Sequence, residues 1–476
     1  MTALHTLNEA LPEALPEKLE QHTAALQDLQ AHILKGHGRH HAAQVFVVFR
    51  AGKQAKAREW LQKDLLPRLT NAWEQLERIK EFKASGKDGG LLTVFHLSAE
   101  GYRYLGLSVG EFEEAFQAGM KASQDKLNDP APSNWEAPFS GAQPIHALIL
   151  LAHSSEAVVQ FAAEALKTEL CLDGQSDARM ANTCHVEIGK QLVNDAGAGI
   201  EHFGYVDGRS QPIFFSKDAK EESDGTSLWD PATPLSQVLV PDPHGGPEAS
   251  GSYFVFRKLE QDVRGFKAQE QHLANALKLV GADRELAGAR VVGRFEDGTP
   301  VVLSDKPRIE NSAGTDSKNP EAAVPNNFDY RGDPAGAKCP FHAHIRKSNP
   351  RGSSPGGVKF DKATQMARRG ITYGDRTDDR KTIEDMPAGG VGLLFMAYMQ
   401  DIAAQFEFIQ QSWVNSPDFP SGGVGIDPVI GVSPGSPPQR WVDAAGKEVS
   451  FSFEGFVHMQ GGEYFFAPSL SFLSTL

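Results

Sequence analysis

Short runs of apolar, β-branched and aromatic residues recur along this chain, and most are followed by a segment with helical periodicity. Such runs are typical of buried strands. The first half predicts strands at Gln44–Phe49, Leu91–Leu97 and Ile145–Leu151, and helices at Ala55–Ile79, with a break near Pro67, and Ser154–Leu170. The second half predicts strands at Gly251–Arg257 and Gly392–Tyr398, followed by helices at Arg264–Leu279 and Asp401–Val414. This repetition favours an α+β fold of two halves, each a sheet covered by helices.

A polar connection rich in proline and glycine, at about 217–251, separates the two patterns. We therefore predict an N-terminal arm at residues 1–26, a first half at 27–245 and a second half at 246–476. With 476 residues, the chain is long enough for both halves to bury a core. A second polar stretch, 304–338, is predicted to be a long loop.

The charge balance argues against some classes of partner. The formal net charge is −14, and an acidic chain repels phosphate backbones, so nucleic acid is not expected to bind. No window has the apolar length of a membrane span, and the N-terminal residues do not resemble a secretory signal. The three cysteines are odd in number and not closely spaced, which argues against a disulfide framework. We therefore expect a cytoplasmic protein without a membrane partner.

The segment Cys339-Pro-Phe-His-Ala-His-Ile-Arg-Lys-Ser-Asn-Pro-Arg351 contains the first candidate for chemistry. A neutral imidazole is a common ligand of haem iron, and such a ligand needs its second ring nitrogen held by a carboxylate or a carbonyl. His344 has apolar neighbours, and the nearby Arg346 and Lys347 suit the carboxylates of a porphyrin. A single histidine is more often structural, and His342 is a rival that would share a face with His344 on a strand but not on a helix.

An acid and a guanidinium are the next candidates. Asp207 lies within Gly204-Tyr-Val-Asp-Gly-Arg-Ser-Gln-Pro212, where Gly208 suits a tight turn that lets the backbone approach a bulky group. Asp207 is either an ordinary turn residue or an acid–base group that moves the protons of hydrogen peroxide. Arg368 and Arg369 are either a solvated basic spot or a charge that stabilises an anion, and the sequence does not decide which of them points inward. One imidazole, one acid and one guanidinium are what a haem peroxidase needs.

Two apolar elements in the C-terminal part add further candidates. The predicted strand that contains Leu393 and Phe395 is apolar on both faces, so it is either simple core or the roof of a pocket. On the helix that follows, Trp413 belongs to an apolar stripe that predicts its burial, whereas Glu407 lies off that stripe.

Taken together, these segments resemble the dye-decolourising peroxidase family from about residue 29 to residue 476. The matching blocks, in chain order, are Leu29–Arg39, Gly204–Pro212, Gly251–Val263, Ala343–Arg346, Gly425–Gly431 and Gly461–Pro468. One block would be a weak signal, whereas all of them in order is a strong one. The length and the large loops resemble the longer branch of the family.

The resemblance implies both a fold and a cofactor. The implied fold is α+β, with two ferredoxin-like halves, antiparallel sheets, surrounding helices and a haem pocket in the C-terminal half. The implied cofactor is one haem b per chain, bound without covalent links, in agreement with the lack of a Cys-x-x-Cys-His sequence. We expect Gly208 and Arg346 among the residues that contact it.

The resemblance also implies roles for single residues. His344 matches the family's iron ligand, because the ligand begins a His-Ile-Arg run. Asp207 and Arg368 match the catalytic acid and arginine on the peroxide side. Asp427 matches the acid that holds the ligand imidazole, and Glu407 is the fallback for that role.

Further matches concern the pocket wall and electron transfer. Leu393 and Phe395 match the pair that lines the peroxide pocket. Tyr373 and Trp413 match positions proposed in some members to carry oxidising equivalents to the surface. Arg209 departs from the family pattern, in which an apolar residue is more usual, and its charge suits either a lower pKa of Asp207 or a bond to a haem carboxylate.

The predicted function is that of an oxidoreductase, a peroxidase that uses hydrogen peroxide to oxidise bulky aromatic donors such as dyes and phenols in one-electron steps. The predicted assembly is a monomer or a homodimer. One alternative is a haem-binding or iron-handling protein with incidental peroxidase activity, and another is a haem-free structural relative. The presence of Asp207 and Arg368 argues against both alternatives.

Overall fold

A computed structural model of the chain describes residues 22–171, 179–222, 228–307, 326–376 and 382–476. Nearly all of the predicted arm at 1–26 and much of the predicted loop at 304–338 lie outside these ranges. Among the residues described, no helix is both long enough and apolar enough to cross a membrane.

The strands, numbered in chain order, include every one that the apolar runs predict. In the described ranges, strands β1 to β14 are His41–Phe49, Leu92–Leu97, Ala147–His153, Ala181–Lys190, Leu192–Val193, Gly199–Ile200, Val240–Pro241, Ser250–Gln261, Ala367–Arg368, Ile371–Tyr373, Gly392–Met399, Gln439–Val442, Glu448–Phe451 and Val457–Ala467. The runs did not predict β4 or β14. Most side chains of β4 are exposed or only half-buried, and β14 is interrupted by Gly461, Gly462 and Glu463, so neither strand has a continuous apolar run.

Helices connect and cover the strands. The α-helices are Thr23–Asp28, Gln54–Trp60, Ala72–Ser85, Ala99–Tyr104, Glu114–Ala118, Gln124–Leu127, Glu156–Cys171, Ser216–Glu222, Val263–Ala276, Glu285–Val292, His344–Ser348, Gly357–Ala363 and Leu470–Thr475. Wider, π-type turns form Leu61–Leu65, Ile402–Glu407 and Ile409–Val414, and 3₁₀ turns form Leu66–Arg68, Met120–Ser123, Pro132–Asn134, Leu235–Gln237, Gly281–Arg284 and Ile383–Asp385. The break predicted near Pro67 is confirmed, because that residue lies in a 3₁₀ turn and a new helix begins at Ala72.

The strands of the two predicted halves share one antiparallel sheet. Eight strands follow the order β10–β11–β8–β14–β2–β3–β1–β4, and β7 and β9 pair at the side of β8 and β11. The four strands from the first half are therefore neighbours, and so are the four from the second half. β14 joins the two sets, because it pairs along its length with β8 and through Phe466 with Leu97 of β2. The α+β class is confirmed, and the division at residue 245 stays a prediction.

The sheet closes on itself as a barrel. β4 and β10 are the two ends of the strand order, yet they lie against each other, and the amide of Leu192, just after β4, donates to Thr372 Oγ1 at 3.3 Å. The interior is filled by aromatic rings from opposite walls. Phe46 of β1 lies 4.7 Å, centroid to centroid, from Phe256 of β8, which is four strands away in the order.

Strand alternation gives β8 and β11 two different environments. Phe254 and Phe256 of β8 point into the barrel, whereas Arg257 and Leu259, further along the same strand, point to the outer face. Leu393 of β11 also belongs to that outer face. The candidate site lies there, between the barrel and the segments that cover it.

We predict that Gly189 of β4 is required for close packing where the barrel closes. A Cβ atom at Gly189 would overlap the Cγ2 atom of Ile371 on β10. Gly189→Ala should therefore lower the free energy of unfolding by about 1–3 kcal/mol, because an added methyl group in a packed site forces its neighbours to move. Gly246→Ala is the control, since a Cβ atom there meets no described atom within 4 Å. Equal urea midpoints for the two variants would contradict this packing.

Candidate active site

A cavity of about 780 Å³ lies on the outer face of β8 and β11. This volume is within the range of roughly 300–1,000 Å³ that is usual for small-molecule and cofactor sites. Its apolar wall includes Ile345, Met366, Leu393, Phe395, Ile409, Val429 and Ile430. The charged and polar groups that also line it include Asp207, Arg209, Ser210, Arg294, His344, Arg351 and Arg368. The structure thus brings most of the sequence-predicted site residues to one cavity.

His344 presents its imidazole to this cavity. It is the first residue of the helix His344–Ser348, and its side chain remains 23% accessible although it lies inside the protein. Its Nδ1 atom lies 2.8 Å from Oδ2 of Asp427. The rival, His342, precedes the helix, is buried and packs edge-on against Trp441 at 4.2 Å between ring centroids, away from this cavity.

Asp427 is a fully buried carboxylate held from several sides. Its Oδ1 atom accepts hydrogen bonds from the amides of Val429 and Ile430, at 2.8 and 3.0 Å. Burial opposes ionisation, but the nearby imidazole of His344 and the two amides outweigh it, so the pKa of Asp427 lies below its ordinary value. The ionised carboxylate therefore accepts the Nδ1 hydrogen, and the lone pair of Nε2 is left for a ligand in the cavity.

The same pair changes the basicity of His344. Burial alone would lower the pKa of the imidazole, but the negative charge of Asp427 outweighs burial, and the pKa of His344 is raised. Arg368 and Asp207 also contribute, in opposite directions, which places both groups within electrostatic reach of His344.

Glu407, the fallback for the role of Asp427, does not contact His344. Its carboxylate accepts from Lys126 Nζ at 2.5 Å, from Tyr464 Oη at 3.0 Å and from the hydroxyl of Ser123. Glu407 lies on the wider helical turn Ile402–Glu407 and is buried on the side away from the cavity. The fallback is therefore wrong.

Asp207 and Arg368 form a second pair at the cavity. The backbone turns sharply after Asp207, since Gly208 has a φ of 84°, a left-handed conformation that favours glycine. Arg368 comes from β9, and its Nη1 atom lies 3.3 Å from Asp207 Oδ1, while Nη2 donates to the carbonyl of Arg209 at 2.8 Å. About a third of each side chain in the pair remains accessible, and that surface faces the cavity.

The structure also decides between the two adjacent arginines. Successive residues of extended backbone point to opposite sides, so Arg369, directly after β9, points away from Asp207. Its guanidinium donates to the carbonyls of His32 and Ile33, both at 2.8 Å. Arg368 is therefore the arginine of the cavity, and Arg369 ties the N-terminal segment to the sheet.

A buried cluster of arginines on the cavity wall was not predicted from the sequence. Arg294 and Arg351 both donate to Ser210 Oγ, at 3.1 and 2.6 Å, and both donate to Asn326 Oδ1, at 2.7 and 2.8 Å. Burial lowers the pKa of Arg294 to about 9 and that of Arg351 to about 10. An anionic group in the cavity would offset this cost of burying cations. Arg351 ends the segment that contains His344, which was the one available signal for it.

Glu201 is another cavity residue that sequence reasoning missed. Its carboxylate accepts from the amides of Phe203 and Tyr205, at 2.7 and 3.0 Å, and so fixes the turn that carries Asp207. Burial, together with the charge of Asp207, raises the pKa of Glu201 to about 7. Arg209, the departure from the family pattern, donates from Nη2 to Glu222 at 3.1 Å.

The cavity fits a haem. His344 offers a ring nitrogen backed by a buried carboxylate, which is the donor that haem iron takes from a protein. The arginines around Ser210 supply fixed cations for carboxylate groups. The wall formed by Leu393, Phe395 and their apolar neighbours suits the flat, apolar ring of a porphyrin.

Arg346, expected among the cofactor contacts, does not reach the cavity. Its guanidinium donates to Asp333 Oδ2 at 3.1 Å and lies between the rings of Tyr330 and Phe341, 4.5 and 4.4 Å from their centroids. Lys347 is also turned away, and its ammonium donates to two backbone carbonyls. Both expectations are wrong. A helix begins at His344 and carries Arg346, two positions later, to its opposite side.

Tyr373 and Trp413 are both buried, and neither lines the cavity. Lys258 Nζ lies 5.0 Å from the ring centre of Tyr373. Trp413 stacks on Phe419 with 4.9 Å between the ring centroids. The predicted burial of Trp413 is confirmed, and the role of both residues in electron transfer stays a prediction.

Comparisons with known proteins match nearly the whole chain. Residues 28–182 match the family model described as the DyP dimeric alpha+beta barrel domain. The multifunctional dye peroxidase DyP2 of Amycolatopsis sp. (strain ATCC 39116 / 75iv2) is 42% identical over an alignment that covers 95% of this chain and 96% of that relative. The dye-decolorizing peroxidase msp1 of Mycetinis scorodonius is 32% identical, covering 80% of this chain and 75% of that relative. The crystal structure of a DyP-type peroxidase from Anabaena sp. has a TM-score of 0.88 at 35% identity and covers 99% of both chains.

We predict that Arg346 stabilises the folded protein around the site and does not contact a ligand. Arg346→Ala leaves the buried carboxylate of Asp333 without its cation, which should lower the free energy of unfolding by about 3–5 kcal/mol in urea titrations. Arg331→Ala is the control. The side chain of Arg331 is 76% exposed, so the loss of its ion pair with Asp329 should change the free energy of unfolding by less than about 1 kcal/mol. Equal losses in the two variants would contradict the prediction.

Proposed function

Because the chain belongs to the dye-decolourising peroxidase family, we propose that it uses hydrogen peroxide to oxidise bulky aromatic donors such as dyes and phenols. The observation that carries this proposal is the meeting, at one cavity, of the His344–Asp427 pair and the Asp207–Arg368 pair. A protein that only bound or stored a porphyrin would need the first pair and not the second.

The proposed cofactor is one haem b per chain, held without covalent bonds. Members of this family are haem enzymes, and the chain has no Cys-x-x-Cys-His sequence for a covalent link. In the proposed arrangement, Nε2 of His344 binds the iron, and Arg294 and Arg351 hold haem carboxylates. When bound, the haem would supply the iron that reduces peroxide and that afterwards takes electrons from the donors.

The proposed role of Asp207 is to move a proton between the two oxygens of peroxide. Its carboxylate takes the proton from one oxygen and returns it to the other as the O–O bond breaks, so that water leaves. Arg368 holds Asp207 through Nη1 and adds a fixed positive charge where negative charge develops. The turn at Gly208 and the bonds made by Glu201 keep the Asp207 carboxylate in place.

The proposed role of Asp427 is to hold and polarise His344. The hydrogen bond to Nδ1 fixes the ring orientation and makes Nε2 a stronger donor. Leu393 and Phe395 limit what enters the peroxide side of the cavity, so bulky donors deliver electrons from outside it. Tyr373 and Trp413 are the proposed carriers for electrons that arrive from the surface.

The ligand assignment predicts that His344→Ala abolishes tight haem binding. Titration of haem into the purified variant should give no sharp Soret band, and added imidazole should restore the band by filling the space of the lost ring. His342→Gln is the matched control, because that ring packs on Trp441 outside the cavity, and it should bind haem as the parent does. Unchanged haem binding and turnover in His344→Ala, with imidazole having no effect, would refute the assignment.

The acid–base assignment predicts that Asp207→Asn slows the reaction of the haem-loaded protein with stoichiometric peroxide by about 10²–10⁴-fold, while haem loading is unchanged. An amide keeps the size of the side chain and removes its basicity. The rate is followed by stopped-flow absorption. Asp230→Asn, at a carboxylate that is 62% exposed and outside the cavity, is the control and should leave the rate unchanged. A slow reaction in the parent protein despite full loading would instead favour a haem-binding or iron-handling role.

A further inference from the structure

Two of the three cysteines lie side by side on the first half of the barrel. Cys171 is the last residue of the helix Glu156–Cys171, and Cys184 is on β4, the strand against which this helix packs. Their sulfur atoms are 2.8 Å apart. The cysteines are 13 positions apart in the chain, so sequence spacing gave no reason to pair them. Both residues are partly exposed, and each is therefore within reach of a small oxidant.

The geometry requires little movement to form a disulfide. A disulfide bond is about 2.05 Å long, so the two sulfur atoms need to approach by about 0.8 Å. One of the two residues ends its helix, where a small shift does not break the hydrogen bonds of the helix interior. The other is held in β4 by pairing with β1, in the register Val47 to Cys184.

The surroundings distinguish the two thiols. The hydrogen bond between the two thiols lowers the pKa of Cys171, and the positive charges of Lys167 and Arg179 lower it further against the effect of burial. The same hydrogen bond and burial raise the pKa of Cys184. Cys171 is thus the more acidic thiol of the pair and the one that attacks an oxidant, and Cys184 is the thiol beside it. A thiolate of lowered pKa, accessible and next to a second cysteine, is the arrangement of peroxide-sensitive cysteines.

We propose that Cys171 and Cys184 form a dithiol that hydrogen peroxide oxidises to a disulfide. In the first step the Cys171 sulfur bonds to one peroxide oxygen as the O–O bond breaks, and the leaving hydroxide takes up a proton to give water. In the second step the Cys184 sulfur bonds to the Cys171 sulfur, the S–O bond breaks, and a second water leaves with the thiol proton. Two thiols and one peroxide thus become one disulfide and two waters, with sulfur oxidised and peroxide reduced.

This site goes beyond the proposed peroxidase function and does not use the cavity. The disulfide would tie the end of a surface helix to β4, one of the two strands that close the barrel. It would form under the conditions in which the protein meets its oxidant. It would also stop oxidation of Cys171 at a reversible stage, because a sulfenic acid with no neighbouring thiol proceeds to the sulfinic acid.

Cys339 serves as an internal control. It is fully buried, and burial raises the pKa of its thiol to about 12. No other cysteine contacts it in the part of the chain that the structure describes. It should remain a thiol under the conditions that oxidise the other two.

The experiment counts thiols in the haem-loaded, fully reduced protein before and after a few equivalents of hydrogen peroxide. The protein is denatured, alkylated with iodoacetamide and analysed as intact mass and as peptides. The expected result is a fall from three alkylated cysteines to one, Cys339, with a peptide that links Cys171 to Cys184 and with full recovery on reduction. Diamide, which oxidises thiols without the haem, should give the same link, so the result does not depend on peroxidase activity.

Two variants separate the proposed steps. In Cys184→Ser, peroxide should convert Cys171 to the sulfinic acid, a gain of about 32 Da on that peptide. In Cys171→Ser, Cys184 should remain alkylatable, and dye oxidation by both variants should equal that of the parent. Three alkylated cysteines after both oxidants, or links only between separate chains, would overturn the proposal. A disulfide formed by diamide but not by peroxide would refute the claim that hydrogen peroxide oxidises this pair.

Discussion

The hydrogen bond between His344 and Asp427 is the contact on which the arrangement of the site depends. A carboxylate with no exposure to solvent is costly unless it is paired, and Asp427 is stabilised by an imidazole and two backbone amides. Its own amide donates to the carbonyl of Val414, at the end of the wide helical segment. One buried charge thus fixes the short helix of His344, the loop that follows Val414 and the direction in which the free ring nitrogen points.

The period of two along a strand explains how one sheet serves both core and site. Phe256 of β8 fills the barrel, while Arg257, its neighbour, lies on the outer face with the cavity. The same alternation divides Arg368 from Arg369, so that one arginine pairs with Asp207 and the other anchors the N-terminal segment. Core packing and site chemistry therefore depend on the same register, and a slip of one residue would exchange them.

The sequence predicted the strands that form a continuous apolar run and the site residues that lie in a local motif. Uninterrupted apolar runs located β1, β3 and β11, whereas β14 was not predicted because Gly461 and Gly462 interrupt its apolar pattern. The motifs located His344, Asp207 and Arg368, but nearness to His344 along the chain was mistaken for nearness in space in the case of Arg346. Arg294 was not predicted as a site residue, because it is distant from Ser210 in the sequence and only folding brings the two together. Side-chain direction on a short helix and the meeting of distant loops are properties of the tertiary structure, which residue spacing does not encode.

The position of β14 has a consequence for the order of biosynthesis. This strand comes after the thirteen other described strands in the chain, yet it lies in the middle of the sheet, between β8 and β2. It also contributes Val457 and Met459 to the wall of the cavity. Synthesis from the N-terminus therefore delivers the other described strands of the sheet before this central one. A nascent chain that has not yet reached β14 has no finished pocket, so a large prosthetic group is captured only after this strand has been made.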